Sequence, residues 1–309
     1  MRFGDGAWAM LPDVTPTYLS RVDAVEVTEQ EVVLQVSSRP ETARWATLAG
    51  AMFRLRITSP APEALRVEVT HHRGRVATGP VFELSLGAGS LAVSDDSERV
   101  TVRAGALLLE VTKSPWSMRF IDADTGEVIT RSAPKALGLM DKAGTGRFLR
   151  EQLELMPGEV VYGLGERFSA FARNGQTVDM WNADCGTCSD KGYKDVPFFL
   201  TSRGWGVLVN SPGRVSFEVG TEQVMRAQFA VPGEELDYVL LRGPRPRDVV
   251  TRVGALVGRP ALPPAWSFGL WLTTSFTTDY DEATVMGHVT GMAERGIPLH
   301  VFHFDCFWM

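Results

Sequence analysis

Cysteine is scarce, three in 309 residues. So sparse and odd a set gives no support to the disulfide framework of small secreted domains. Long apolar runs are missing too: none approaches the ~18 residues expected of a membrane-spanning helix. Lysine and arginine form neither a stripe nor a basic helix, and the net charge of -6 is spread without blocks. Nucleic acid and anionic membrane surfaces therefore find no support as partners. Nothing repeats at a fixed period, which removes solenoids and propellers. The opening residues, Met1-Arg-Phe-Gly-Asp-Gly-Ala-Trp, lack the basic start and apolar core of a secretory signal. A reducing, cytoplasmic setting is the expectation.

What is present is a globular composition, 44% apolar and 22% charged, in a chain long enough for one large domain or two ordinary ones. From about Arg21 to Gly243 the pattern is one of short strands between turns. The spacing predicts strands at 25–36, 52–57, 65–70, 81–86, 100–104, 107–111, 116–121, 206–210, 216–219 and 236–241. In Phe53-Arg-Leu-Arg-Ile and Leu65-Arg-Val-Glu-Val, every second residue is apolar, as a half-buried strand requires. Gly, Pro, Asp and Ser between such strands point to a β-sandwich.

The character changes at Pro244. A proline-led helix with Val249, Val253, Leu256 and Val257 on one face closes at Gly258. Arg259-Pro-Ala-Leu-Pro-Pro then makes a stiff junction that continues neither helix nor sheet. Beyond it, 265–272 reads as a strand and 273–278 as a loop. A helix follows, capped by Asp279 with Glu282 as capping-box partner, ending at Gly296. The run from Pro298 to Phe304 is a second buried strand. Strand, helix, strand with this crossover is the first βαβ step of an α/β domain. The resulting plan is a sandwich at 1–243, a helix and junction at 244–264, and a βαβ segment at 265–309. A full barrel needs ~250 residues, so the chain reads as a fragment.

Four local features invite a chemical reading. Val160-Val-Tyr-Gly-Leu-Gly-Glu-Arg-Phe lacks the third glycine, the lysine and the following helix of phosphate loops, so its glycines read as a tight bend. Cys185-Gly-Thr-Cys188 has neither the second ligand pair of a zinc site nor a thioredoxin-like context. The long polar stretch 174–194 has the length of a functional loop. In it, Trp181 and Tyr193 suit stacking on a sugar face and Asp184 suits hydroxyls, against the alternative of a surface loop pinned by one tryptophan. Asp305 ends an apolar strand, where parallel α/β folds keep their sites, against the alternative of a cap for the next helix.

Val161-Tyr-Gly-Leu-Gly-Glu-Arg-Phe, the loop Trp181-Asn-Ala-Asp184, Gly258-Arg-Pro-Ala-Leu-Pro-Pro-Ala-Trp-Ser-Phe-Gly-Leu-Trp and His300-Val-Phe-His-Phe-Asp-Cys-Phe-Trp-Met together resemble glycoside hydrolase family 31. Within it they are most similar to the bacterial α-xylosidase branch. The resemblance implies a galactose-mutarotase-like sandwich followed by the start of a (β/α)8 barrel. It implies a retaining α-glycosidase with no cofactor, an oligosaccharide substrate and two catalytic aspartates beyond the last residue given, so that this chain alone hydrolyses nothing. It leaves self-association of the full-length enzyme open.

By the same resemblance, Asp305 bonds hydroxyls of the sugar in the cleavage subsite, Phe276 forms a pocket wall, and Asp184 contacts the leaving-group sugar. Cys306 and Phe307 stand where family α-glucosidases have isoleucine and aspartate. An apolar ring there fits a sugar without a hydroxymethyl group. An α-glucosidase or transglycosylase of the same family, and a non-catalytic sugar-binding sandwich, are the alternatives.

Overall fold

The computed structural model of the chain describes residues 1–7, 9–39, 50–74, 84, 87, 89–183, 189–274 and 280–304. They belong to two compact units, Met1–Gly258 and Arg259–Met309.

The described residues of the first unit form three antiparallel sheets. The largest has eight strands in the order Val161–Gly163, Phe198–Thr201, Trp205–Val209, Glu235–Arg242, Ala64–Thr70, Met52–Ala61, Glu31–Ser37 and Arg21–Val27. A six-stranded sheet runs Val14–Tyr18, Gly138–Lys142, Gly146–Glu154, Arg226–Pro232, Val215–Val219 and Gln176–Met180. A five-stranded sheet runs Val128–Ser132, Ser117–Asp122, Leu107–Thr112, Arg99–Ala104 and Ala92–Asp95. Phe53, Leu55 and Ile57 alternate into a core shared by all three sheets, together with Leu109, Phe120, Leu149, Phe217 and Phe229. The sandwich expected from the alternation is present.

The other face of the eight-stranded sheet is charged. Glu31, Arg56, Glu68, Arg66 and Asp237 form ion pairs of 2.5, 2.7, 3.3 and 2.6 Å that cross four strands. Each partly exposed pair contributes about 1 kcal/mol or less. Their common effect is on register, because a one-residue slip would carry the charges into the core. Farther along the same sheet, the helix Pro246–Val257 lays Val249 and Leu256 on Ala64, Phe198, Leu208, Val239 and Leu241.

Some sequence expectations need correction. The stretch 25–36 is a hairpin, because Thr28 turns the chain: its N–H donates to Glu31 O at 2.9 Å and its Oγ1 accepts from Glu31 N–H at 3.1 Å. Part of the long loop at 174–194 is the strand Gln176–Met180, paired with Val215–Val219. The strand expected at 81–86 lies outside the described residues apart from Leu84.

In the second unit, Trp271–Leu272 and Val301–Phe302 pair in parallel, joined through the helix Glu282–Glu294. This is the expected βαβ order. The stretch from Ala265 begins as a 3-10 turn, Ala265–Phe268, because Pro264 O accepts from Ser267 N–H at 3.0 Å and Ser267 Oγ at 2.7 Å. The helix cap is Asp281, which accepts from Thr284 N–H at 3.0 Å; Asp279, expected in that role, lies outside the described residues. No helix of the described residues is long and apolar enough to cross a membrane.

A polar contact inside the shared core joins all three sheets. Glu151, on the six-stranded sheet, accepts from Ser132 Oγ of the five-stranded sheet at 2.7 Å and from Tyr238 Oη of the eight-stranded sheet at 3.3 Å. Its own neighbour Gln152 N–H adds a bond of 2.8 Å. Burial pushes the Glu151 carboxyl up to about 7, against the opposing pull of these donors and of the Arg150 charge. A raised carboxyl binds its proton more tightly folded than unfolded, so its contribution to stability falls as pH rises from about 4.5 through about 7. The expected loss over that window is about 3 kcal/mol. Urea denaturation from pH 5 to 7.5 checks it: Glu151→Gln should flatten the slope, and an unchanged slope would place the titration elsewhere.

Candidate active site

The parallel pair in the second unit fixes where its two following segments emerge. Leu272 lies opposite Phe302, and His303 N–H donates to Leu272 O at 2.9 Å. The strands therefore end side by side, and residues 273–274 and 303–304 leave from the same end. Tyr280, just before the helix cap, meets Phe304 edge to face with ring centroids 5.2 Å apart. Phe304 meets Phe302 at 5.6 Å, and Phe302 stacks near His288 at 6.4 Å. The chain flanking 275–279 is thus joined to the chain entering 305–309, at the carboxyl end of a parallel pair. Phe276, Asp305, Cys306 and Phe307 themselves lie outside the described residues. The Asp281 carboxyl is held below the usual range by Thr284, first by its side chain and then by its N–H. That capping duty accounts for the residue.

The first unit has a polar loop of its own. Asp184, with Cys185 and Cys188, lies outside the described residues. The described stems on either side are closely tied. Ala183 N–H donates to Gly192 O at 3.0 Å, and Asp195 N–H to Asn182 Oδ1 at 3.3 Å. Trp181 is half exposed, with the Arg214 guanidinium 5.1 Å from its ring centre, and Tyr193 is also exposed. Among the described residues no group of His, Cys, Asp and Glu could hold a metal ion. Cavities of about 330 and 280 Å3 open elsewhere in this unit, and neither is lined by a residue of the loop.

The loop stands on the glycine-rich bend. Gly163, Leu164 and Gly165 have φ of 103°, 65° and 76°, three left-handed residues in succession. A Cβ on Gly163 would lie 2.6 Å from Phe198 O, and one on Gly165 would lie 2.3 Å from Lys194 O. The glycines serve close approach of backbone, as the bend reading required. The same run splays successive carbonyls toward two arginines. Gly163 O accepts from Arg173 Nε at 2.8 Å and Leu164 O from Arg167 Nε at 3.2 Å. Arg167 also donates from Nη1 to Asp190 O at 2.8 Å and from Nη2 to Asp195 Oδ1. Burial pushes the Asp195 carboxyl up despite the Arg167 charge beside it. Arg167, Arg173 and Asp195 were not singled out by sequence reasoning, because nothing in an isolated arginine or aspartate says that it is buried.

Two family models match the chain. The glycosyl hydrolase 31 N-terminal galactose mutarotase-like domain matches residues 54–218, and the glycosyl hydrolases family 31 TIM-barrel domain matches 260–309. An α-xylosidase of Emericella nidulans is 37% identical across all of this chain, which covers 42% of that protein. The α-xylosidase XylQ of Lactiplantibacillus pentosus is 38% identical, again across the whole chain and 40% of its own length. Among solved structures, a family 31 dextranase of Flavobacterium johnsoniae in complex with isomaltotriose superposes with a TM-score of 0.78 at 22% identity, over 94% of this chain and 34% of that one. A family 31 α-xylosidase from a soil metagenome, complexed with xylose, gives 0.68 at 17% identity, over 89% and 40% of the respective chains.

The bend makes a sharp stability test. Gly165→Ala should cost at least about 2 kcal/mol, from the left-handed backbone plus displacement of a carbonyl. Gly158, with φ of 76° and nothing within 4 Å of its would-be Cβ, isolates the backbone part, so Gly158→Ala should cost only about 1 kcal/mol. Equal losses on denaturation would remove the close-approach account of Gly165.

Proposed function

We propose, since the chain belongs to glycoside hydrolase family 31, that it is the N-terminal part of a retaining α-glycosidase that hydrolyses α-xylosides. The chain spans about two fifths of the length of the curated relatives above, 42% and 40%. The activity assigned here is therefore that of a protein of their length. The sequence Phe304-Asp-Cys-Phe307, at the exit of the second parallel strand, carries the reading, with whole-chain similarity to two α-xylosidases as support.

In this reading Asp305 accepts hydrogen bonds from hydroxyls of the sugar in the cleavage subsite and Phe276 walls the same pocket. Beside Cys306, the Phe307 ring fills the space that a hydroxymethyl group would need and offers it no hydrogen bond. A xylose ring has no such group and fits; a glucose ring loses one solvated hydroxyl and meets an apolar wall. Asp184, with Trp181 and Tyr193 on the stems beside it, contacts the leaving-group sugar. The reaction itself takes two further carboxyls about 5 Å apart, one attacking the anomeric carbon and the other protonating the departing oxygen. Neither role is assigned to a residue of this chain.

The domain plan proposed with this function is a sandwich at 1–243, a helix and proline-rich junction at 244–264, and the first barrel step at 265–309. The sparse cysteines support a cytoplasmic setting.

The full-length enzyme should favour an α-xyloside over the matching α-glucoside by roughly 10- to 100-fold in kcat/KM, the reach of one group in an apolar pocket. Phe307→Asp should shrink or reverse that ratio. Equal rates for the two sugars in the unaltered enzyme would overturn the proposal, and an unmoved ratio in the variant would remove the account of Phe307.

A further inference from the structure

We propose that Arg167 is a positioning residue for the leaving-group side of the site. Its buried guanidinium ties the returning stem of the loop, at Asp190 and Asp195, to the Gly163–Gly165 bend, and so fixes how that stem presents Tyr193 to a sugar. The inference rests on the reading in which this loop contacts the leaving-group sugar.

Three directions of the guanidinium are used, one toward the bend and two toward separate points on the returning stem. Nε donates to Leu164 O of the bend at 3.2 Å, Nη1 to Asp190 O of the returning stem at 2.8 Å, and Nη2 to the Asp195 carboxylate. The side chains of Arg167 and Asp195 are only 4% and 9% exposed, so their pairing is partly shielded from water and stronger than on a surface, whereas the bond to Asp190 O lies on the exposed side. The geometry requires a planar fork; a lysine ammonium in the same place could hold the charge but not all three acceptors. Leu164 supplies its carbonyl only because it adopts φ of 65°, a left-handed conformation unfavourable for an ordinary side chain. Such a cost persists only where the surroundings over-determine it. Here Leu164 is fully buried in the shared core and its N–H donates to Phe198 O at 2.9 Å.

The stems have few other ties to the bend. Glu166 N–H donates to Lys194 O at 3.1 Å, and an exposed Lys194–Glu166 ion pair spans 3.3 Å. The bend has its own separate support. Arg173 holds Gly163 O, Ser169 Oγ at 2.6 Å and Ala170 O at 3.1 Å, and its N–H donates to Val161 O at 2.8 Å. Arg173 keeps the bend, and Arg167 fastens the loop to it. Replacing Arg167 should therefore loosen the loop and leave the sandwich intact.

The test uses Arg167→Lys in the full-length enzyme with two substrates. For an α-xylosyl-(1→6)-glucoside, KM should rise about tenfold with kcat changed less than about twofold. For α-xylosyl fluoride, which has no leaving-group sugar, both constants should stay as in the unaltered enzyme. Parallel losses on both substrates, or no loss on either, would overturn the proposal. If Arg167→Lys does not fold, Asp195→Asn keeps an acceptor for Nη2 without its charge, and a smaller KM rise confined to the disaccharide is expected. A parent enzyme inactive on both xylosides would sink the xyloside reading alone. The anchoring is then read on the 309-residue chain by trypsin cleavage at Lys191 and Lys194. Faster cleavage in Arg167→Lys at unchanged melting temperature supports it, and unchanged cleavage overturns it.

Discussion

Among the described residues, the carboxyl of Glu151 is the one point at which all three sheets of the first unit touch through polar atoms. Ser132, Glu151 and Tyr238 each come from a different sheet. A buried polar group of this kind adds little net stability, because desolvation offsets most of what its bonds return. Its effect is on geometry. Apolar contacts tolerate sliding, whereas an oxygen that must meet a hydroxyl at 2.7 Å admits one arrangement of sheets. The shared apolar core holds the sheets together; this contact specifies how.

From that fixed interior the order reaches outward to the edge. Val161–Gly163 is the last strand of the eight-stranded sheet, held by Phe198–Thr201. Phe199 of that neighbour sits in the core against Trp205 and Phe217, with ring centroids 5.6 and 6.3 Å apart. The Trp205 indole N–H donates to Glu159 Oε1 at 2.6 Å, just upstream of the edge strand. A loop rooted on such an edge inherits the rigidity of the sheet at its base.

How much of this was legible from residues alone varied with the local pattern. Phe53-Arg-Leu-Arg-Ile announced its strand because one face is core and the other solvent. Gly146–Glu154 did not, although it is central to the six-stranded sheet, because Arg150, Glu151 and Gln152 are buried alongside Leu149 and Leu153. Polar residues inside the protein erase the alternation that marks a strand. Gln176–Met180 was hidden for the opposite reason, with only Val178 and Met180 turned inward amid polar neighbours. In the second unit the order of elements was readable and the ends were less so: a serine and a proline carbonyl turned the expected strand start into a 3-10 turn. The candidate site residues came from resemblance. Spacing alone left Asp305 between a cap and a ligand, and the arginines that support the loop gave no sign of themselves.

The strand order of the eight-stranded sheet also has a temporal meaning. Ala64–Thr70 takes its inner neighbour from Glu235–Arg242, so that Arg66 meets Asp237 across 171 positions of chain. As synthesis proceeds from the first residue, that early strand keeps an unfilled hydrogen-bonding edge until the late one emerges. Closure over such a distance is slow compared with local pairing. Throughout that interval the growing chain offers a pairing surface to any neighbour. The bend and its loop are made inside the same interval, and their sheet is completed only when residues 235–242 arrive. The growing chain, before residues 235–242 arrive, is then the stage at which this sheet is open to wrong pairing.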